Sequence, residues 1–193
     1  MCREDNRLTV KVEVFGDSLL KLGKKGCHQD NVVKHLGPKY HMTHFECIPG
    51  ATAKELYQAM VKRTTQAVEE AIGREDEHPG DAVEEFFMDR VFVVFWNFNE
   101  FVDKNGFTVK KVSEEVMDDC KTFVDLLKRC HKVIMVGPGQ ADLWKLEPEW
   151  DKMADNILAM LSRNGVPVIN PVMRYRCCAK RDSFHFNGEW NNQ

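Results

Sequence analysis

Five stretches of the chain have the length and apolar content of β-strands. Residues 90–96, RVFVVFW, are apolar at nearly every position, which is typical of a central parallel strand covered on both faces. Four further strands are predicted at residues 8–15 (LTVKVEVF), 40–48 (YHMTHFECI), 132–136 (KVIMV) and 166–172 (VPVINPV). Each is followed within a few residues by glycine, proline or polar residues that end it.

Helical spacing of apolar residues alternates with these strands. Thr52 and Glu55 form a T-x-x-E capping box at the start of a long amphipathic segment that runs to Gly73. Ser113 is a predicted N-cap, and Pro148 and Gly165 mark the start and end of a third helix. The acidic stretch 74–85 predicts an exposed loop that leads to a short helix.

The alternation predicts one α/β domain over residues 1–193, a parallel sheet with helices on both faces joined by right-handed crossovers. A length of 193 residues supports one full hydrophobic core. The net charge of -3 argues against nucleic-acid binding, and no apolar run approaches the roughly 20 residues of a membrane span.

The cysteines and the polar first ten residues indicate a cytoplasmic protein without a signal peptide. Seven cysteines, with Cys177 and Cys178 adjacent, fit reduced thiols better than a disulfide framework. Scattered surface histidines are favoured over a metal site at His28, His35, His41 and His44, and we expect neither a metal nor an organic cofactor.

Polar residues follow four of the predicted strands, at the sheet edge where ligands of open parallel sheets bind. They are Gly16, Asp17 and Ser18 after the first strand, Gly50 after the second, Asn97, Phe98, Asn99 and Glu100 after the third, and Asp182 and His185 after the fifth.

These loops contain one candidate for each role in acyl transfer. Ser18 is the predicted nucleophile, His185 the base that accepts its proton, and Asp182 the group that orients His185. The backbone N–H groups of Ser18 and Gly50 and the side-chain amide of Asn99 are the predicted oxyanion hole. Taken singly, each residue also has a purely structural interpretation, as a helix cap, a turn residue or a surface histidine.

In this order the residues resemble the conserved blocks of the SGNH, or GDSL-type, hydrolases. VFGDSLL at 14–20 resembles block I, Gly50 block II, Asn99 block III, and Asp182 with His185 the D-x-x-H of block V. The resemblance implies a flavodoxin-like three-layer α/β/α fold, strand order 2-1-3-4-5, and hydrolysis of esters or thioesters without a metal.

Two departures from the family pattern stand out. Block III usually reads G-x-N-D, whereas Asn97 and Glu100 occupy the glycine and aspartate positions here. Eight residues follow His185, where the family continues into a final helix. Asp17, Asn97 and Phe98 are possible pocket residues, and Trp96, Phe98, Phe101 and Phe107 either line an acyl pocket or pack in the core.

The sequence therefore predicts a serine esterase that forms an acyl-enzyme on Ser18 and acts on a small-molecule ester. Acetyl esters, short acyl esters, lysophospholipids and thioesters all remain open, as does the oligomeric state. The alternative is a catalytically impaired SGNH-like binding module that recognises an acylated or glycosylated partner. A nucleotide-binding role is disfavoured, because no G-x-G-x-x-G loop follows the first strand.

Overall fold

The chain folds around one parallel β-sheet. A computed structural model describes residues 9–22, 26–27, 29–72, 79–103, 108–137 and 147–169. The sheet strands are β1 (Val10–Gly16), β2 (Tyr40–Cys47), β3 (Arg90–Phe95), β4 (Lys132–Val136) and β5 (Val168–Ile169). Their order across the sheet is β2-β1-β3-β4-β5, with every neighbouring pair parallel. The predicted order 2-1-3-4-5 is confirmed.

Helices connect the strands in sequence. They are α1 (Gln29–His35), α2 (Ala53–Ile72), α3 (Pro79–Met88), α4 (Glu114–Arg129) and α5 (Glu147–Arg163). Short 3-10 turns follow β1 at Ser18–Leu20 and β3 at Asn99–Phe101. Two small antiparallel pairs join Lys21–Leu22 to Gly26–Cys27 and Val102–Asp103 to Thr108–Val109. Within the described ranges, no helix is long and apolar enough to cross a bilayer.

The two faces of the sheet belong to different core clusters. On β3, Phe92 and Val94 point to the larger cluster, which also contains buried residues of α2, α3, α4 and α5. Val93 and Phe95 point to the smaller cluster on the opposite face, where Val32 and Leu36 from the α1 region pack. This alternation along a strand produces the predicted three layers.

The helix ends follow the local sequence signals. In the capping box, the Thr52 N–H donates to Glu55 Oε2 at 2.9 Å and the Glu55 N–H to Thr52 Oγ1 at 3.4 Å. Ser113 Oγ accepts from the Val116 N–H at 3.4 Å and caps α4. Gly165 ends α5 with a φ of 71°, and the Val166 N–H returns to the Leu161 carbonyl at 3.0 Å.

Two helices differ from the sequence prediction. Helix α1 was not predicted. Its adjacent Val32 and Val33 are β-branched, and its seven residues are too few to show helical periodicity. It is stabilised by tertiary contact with the sheet. Helix α3 is longer than expected, since Ala82, Phe86 and Phe87 bury one of its faces.

A buried ion cluster lies on the α2/α3 face of the sheet. The fully buried Glu13 carboxylate accepts from Arg90 Nη1 at 2.8 Å, from Arg63 Nε at 3.2 Å and from the Thr43 hydroxyl at 2.8 Å. The register between β1 and β2 shifts at this point, between Val12 and Glu13. Two guanidinium groups therefore neutralise a carboxylate that is removed from water.

Candidate active site

Three of the predicted functional loops begin side by side. Strand β1 lies between β2 and β3, and its last residue, Gly16, is paired with Cys47 on one side and Phe95 on the other. The three strands therefore end at the same level of the sheet. The loops that follow them contain Ser18, Gly50 and Asn99.

Gly16 allows the chain to turn tightly into Ser18. A Cβ atom at Gly16 would lie 2.7 Å from Phe95 Cβ and 2.6 Å from Leu20 Cδ1, which is closer than such atoms pack. The Asp17 N–H donates to the Phe95 carbonyl at 3.1 Å, and Ser18 then starts a 3-10 turn. Ser18 is 7% exposed, and its hydroxyl forms no hydrogen bond with the residues that the structure describes.

Gly50 occupies a turn between β2 and α2. Its φ of 80° is in the left-handed region, where a side chain is strained, and the Ala51 N–H closes the turn on the Ile48 carbonyl at 2.9 Å. Among the described residues, none accepts a hydrogen bond from the Gly50 N–H. The described part of the chain therefore leaves this donor for the predicted oxyanion.

The loop after β3 is anchored to Asp17. The same atom, Asp17 Oδ2, accepts from the Asn97 backbone N–H and from Asn99 Nδ2, both at 2.7 Å. The intervening Phe98 is in the left-handed conformation, with φ 55° and ψ 42°, at a cost of about 1–2 kcal/mol. This conformation folds the loop back so that both donors meet one carboxylate.

The second amide hydrogen of Asn99 is also engaged. Asn99 Nδ2 donates to the Ala51 carbonyl at 3.0 Å, which links the loop after β3 to the Gly50 turn. A primary amide has two hydrogens, so Asp17 and Ala51 use both. An oxyanion could therefore be bound by Asn99 only by sharing or replacing the Ala51 contact.

Glu100 makes a further connection between these loops. Its Oε1 accepts from the Ala53 N–H at 2.8 Å and from Trp96 Nε1 at 3.2 Å, and the Cys120 thiol lies 3.7 Å away. Burial of the carboxyl group raises the pKa of Glu100 above its ordinary value. The sequence places Glu100 in this functional loop, where it departs from G-x-N-D, but it does not predict the contacts with Ala53 and Cys120, which lie 47 and 20 positions away.

The aromatic residues of this loop pack in the core. Trp96 and Phe98 are fully buried with ring centroids 4.6 Å apart, and Phe101 is 1% exposed. Asp17 and Asn97 are also buried. These side chains pack under the loops and have almost no solvent-exposed surface.

The structure thus places Ser18, Gly50 and Asn99 at one sheet edge and connects their loops by hydrogen bonds. Asp182, His185 and Phe107 lie outside the described residues. Of the three predicted triad residues, the described part of the structure therefore contains Ser18.

Comparison with known proteins identifies structural relatives. No family model matches the chain, and no curated protein matches it. A member of the lipolytic G-D-S-L family from Veillonella parvula DSM 2008 superposes with a TM-score of 0.59 at 12% identity, covering 95% of this chain and 93% of its own. The psychrotrophic esterase EstA from Pseudoalteromonas sp., in a structure inhibited by monoethylphosphonate, gives 0.56 at 13% identity, with coverage of 94% and 90%.

Each superposition spans nearly the whole of both chains, so the two structures share the fold described above. The chain has the fold of the SGNH, or GDSL-type, hydrolases.

Proposed function

We propose that this protein is a serine esterase that hydrolyses carboxylic esters or thioesters through an acyl-enzyme on Ser18. The observation that supports this most is the arrangement at the carboxyl edge of β1, β2 and β3. Ser18, the Gly50 N–H and Asn99 stand on three adjacent loops, and hydrogen bonds to Asp17 and Ala51 connect Asn99 to the other two. The fold shared with a G-D-S-L family member and an esterase agrees with this assignment.

In the proposed reaction, Ser18 Oγ attacks the ester carbonyl carbon while His185 accepts the hydroxyl proton. Asp182 holds the imidazole in the required tautomer and stabilises the imidazolium. The negative oxygen of the tetrahedral intermediate accepts hydrogen bonds from the N–H groups of Ser18 and Gly50 and from Asn99.

Collapse of that intermediate releases the alcohol or thiol, which takes the proton from His185, and leaves the acyl group on Ser18. Water then attacks the acyl carbon as His185 removes its proton. The second tetrahedral intermediate then breaks its bond to Ser18 Oγ, which takes the proton from His185, and the carboxylic acid leaves.

Turnover of p-nitrophenyl acetate tests the proposal. Ser18→Ala should lower kcat by on the order of 1,000-fold or more, since the nucleophile is lost. The matched control is Ser113→Ala, which removes a serine hydroxyl that caps α4 and has no part in the proposed reaction, and should leave kcat unchanged. Equal rates for wild type and Ser18→Ala would contradict the assignment.

Covalent labelling identifies the nucleophile directly. A fluorophosphonate should modify wild-type protein at Ser18 and leave Ser18→Ala unlabelled. His185→Ala and Asp182→Asn should both slow labelling, because each weakens activation of the hydroxyl. A series of p-nitrophenyl esters of increasing acyl length would then define the acyl preference.

A further inference from the structure

We propose that Glu100 is a positioning residue for this active site, whose carboxyl group connects the Gly50 turn to the Asn99 loop and fixes the spacing between two of the three oxyanion donors, the Gly50 N–H and the Asn99 amide. This inference rests on the proposed esterase function. It concerns a residue to which the proposed reaction assigns no contact with the ester.

The contacts of Glu100 join three elements. The Ala53 N–H belongs to the first residue of α2, three positions after Gly50, and donates to Glu100 Oε1 at 2.8 Å. Trp96 Nε1 lies 3.2 Å from both carboxylate oxygens and comes from the residue after β3. The Cys120 thiol, on α4, lies 3.7 Å from Oε1.

The Glu100 contact acts alongside that of its neighbour. Asn99 Nδ2 reaches the Ala51 carbonyl, and Glu100 Oε1 reaches the Ala53 N–H, so two successive residues bind the same turn with opposite polarity. One of them donates and the other accepts. Without Glu100, the contact between Asn99 and the Ala51 carbonyl would remain, but the second connection between the two loops would be lost. The buried Trp96 N–H would also lose its hydrogen-bond acceptor.

The contacts of Glu100 require an acceptor oxygen and not a negative charge. Oε1 accepts from Ala53 and Trp96 and is the oxygen closest to Cys120, and burial of the group disfavours the charged form. Burial, together with the carboxylates of Glu100 and Asp119, raises the pKa of Cys120, so the thiol facing Glu100 stays neutral. A glutamine with its oxygen at the Oε1 position preserves the contacts of that atom with Ala53, Trp96 and Cys120, and it gives up only the second contact of Trp96, the one with Oε2.

The test compares Glu100→Ala and Glu100→Gln in the steady-state hydrolysis of p-nitrophenyl acetate. Glu100→Ala should lower kcat by about 10- to 100-fold with KM nearly unchanged, since displaced donors weaken binding of the transition state alone. Glu100→Gln should stay within about threefold of wild type, because the acceptor atom is retained. Should Glu100→Ala fail to fold, Glu100→Asp replaces it, because its carboxylate stops one carbon short of Ala53.

Glu55→Ala is the matched control for a simple capping role. Glu55 accepts a backbone N–H at the same end of α2, but its partners all lie within Thr52. This variant should lower the thermal midpoint and leave kcat unchanged.

Two results would overturn the proposal: an unchanged kcat in Glu100→Ala, or an equal loss in Glu100→Gln, which would assign the effect to charge. Failure of the esterase function itself is recognised separately, as a wild-type rate that does not depend on Ser18.

Discussion

Asp17 holds Asn99 in place through a 2.7 Å hydrogen bond between its Oδ2 and the Asn99 amide nitrogen. The two residues are 82 positions apart in the chain; Asp17 directly precedes the predicted nucleophile, and Asn99 is a predicted oxyanion-hole residue. The aspartate of the GDS sequence therefore has a structural task in this protein, which is to orient the loop after β3.

Asn99→Asp should destabilise the protein more than Asn99→Ala does. The nearly isosteric change places a second carboxylate against the buried Asp17 and is expected to cost about 3–5 kcal/mol at neutral pH. Acidification should reduce this cost, because one of the two carboxyl groups then becomes protonated and donates a hydrogen bond to the other. Urea unfolding of both variants at pH 7.5 and pH 5 measures the difference. A deficit in Asn99→Asp that does not change with pH would contradict the prediction.

Gly50→Ala should cost about 1 kcal/mol, because alanine is strained at the left-handed φ of this turn. The rate of p-nitrophenyl acetate hydrolysis should fall as well, since the change shifts the N–H that faces the proposed oxyanion. Gly37→Ala is the control, because a Cβ there meets no atom within 4 Å and the φ of Gly37 lies outside the left-handed region. Equal stability and activity of the two variants would argue against a special role for Gly50.

Glu13→Ala should reduce the free energy of unfolding by about 3–5 kcal/mol, because it leaves the guanidinium groups of Arg63 and Arg90 without their shared buried partner. Chemical denaturation monitored by circular dichroism gives the value. Asp125→Ala, which breaks the exposed pair with Lys128, should have little effect because solvent screens that interaction. Similar losses in both variants would show that burial does not determine the cost.

The raised pKa of Glu100 predicts a specific pH dependence of stability. A carboxyl group with a higher pKa in the folded state binds its proton more tightly there, so its contribution to stability is greatest at low pH. That contribution decreases as the pH rises from the pKa of an unfolded glutamate through the raised value. The unfolding free energy of the wild type minus that of Glu100→Gln should therefore fall across this pH window and then level off. A difference that increases with pH would contradict it.

Much of the fold could be predicted from the sequence because its signals are local. The apolar run of β3, the Thr52–Glu55 capping box, the Ser113 cap and the Gly165 stop depend on residues close together in the chain, and the structure has each of them. Helix α1 could not be predicted in this way. Its few apolar positions become informative only when β1 and β2 provide a surface for Val32 and Leu36.

The sequence by itself determined which loops contain Ser18, Gly50 and Asn99 and that all three follow parallel strands, because strand and turn propensities act over a few residues. Only the tertiary structure decided how these loops are held. Asp17 binding Asn97 and Asn99, Glu100 reaching Ala53, and Glu13 lying between Arg63 and Arg90 are contacts across 47 to 82 positions. A buried polar group needs a hydrogen-bond partner, and that partner can come from any part of the folded chain. Spacing along the sequence therefore does not predict which residue it will be.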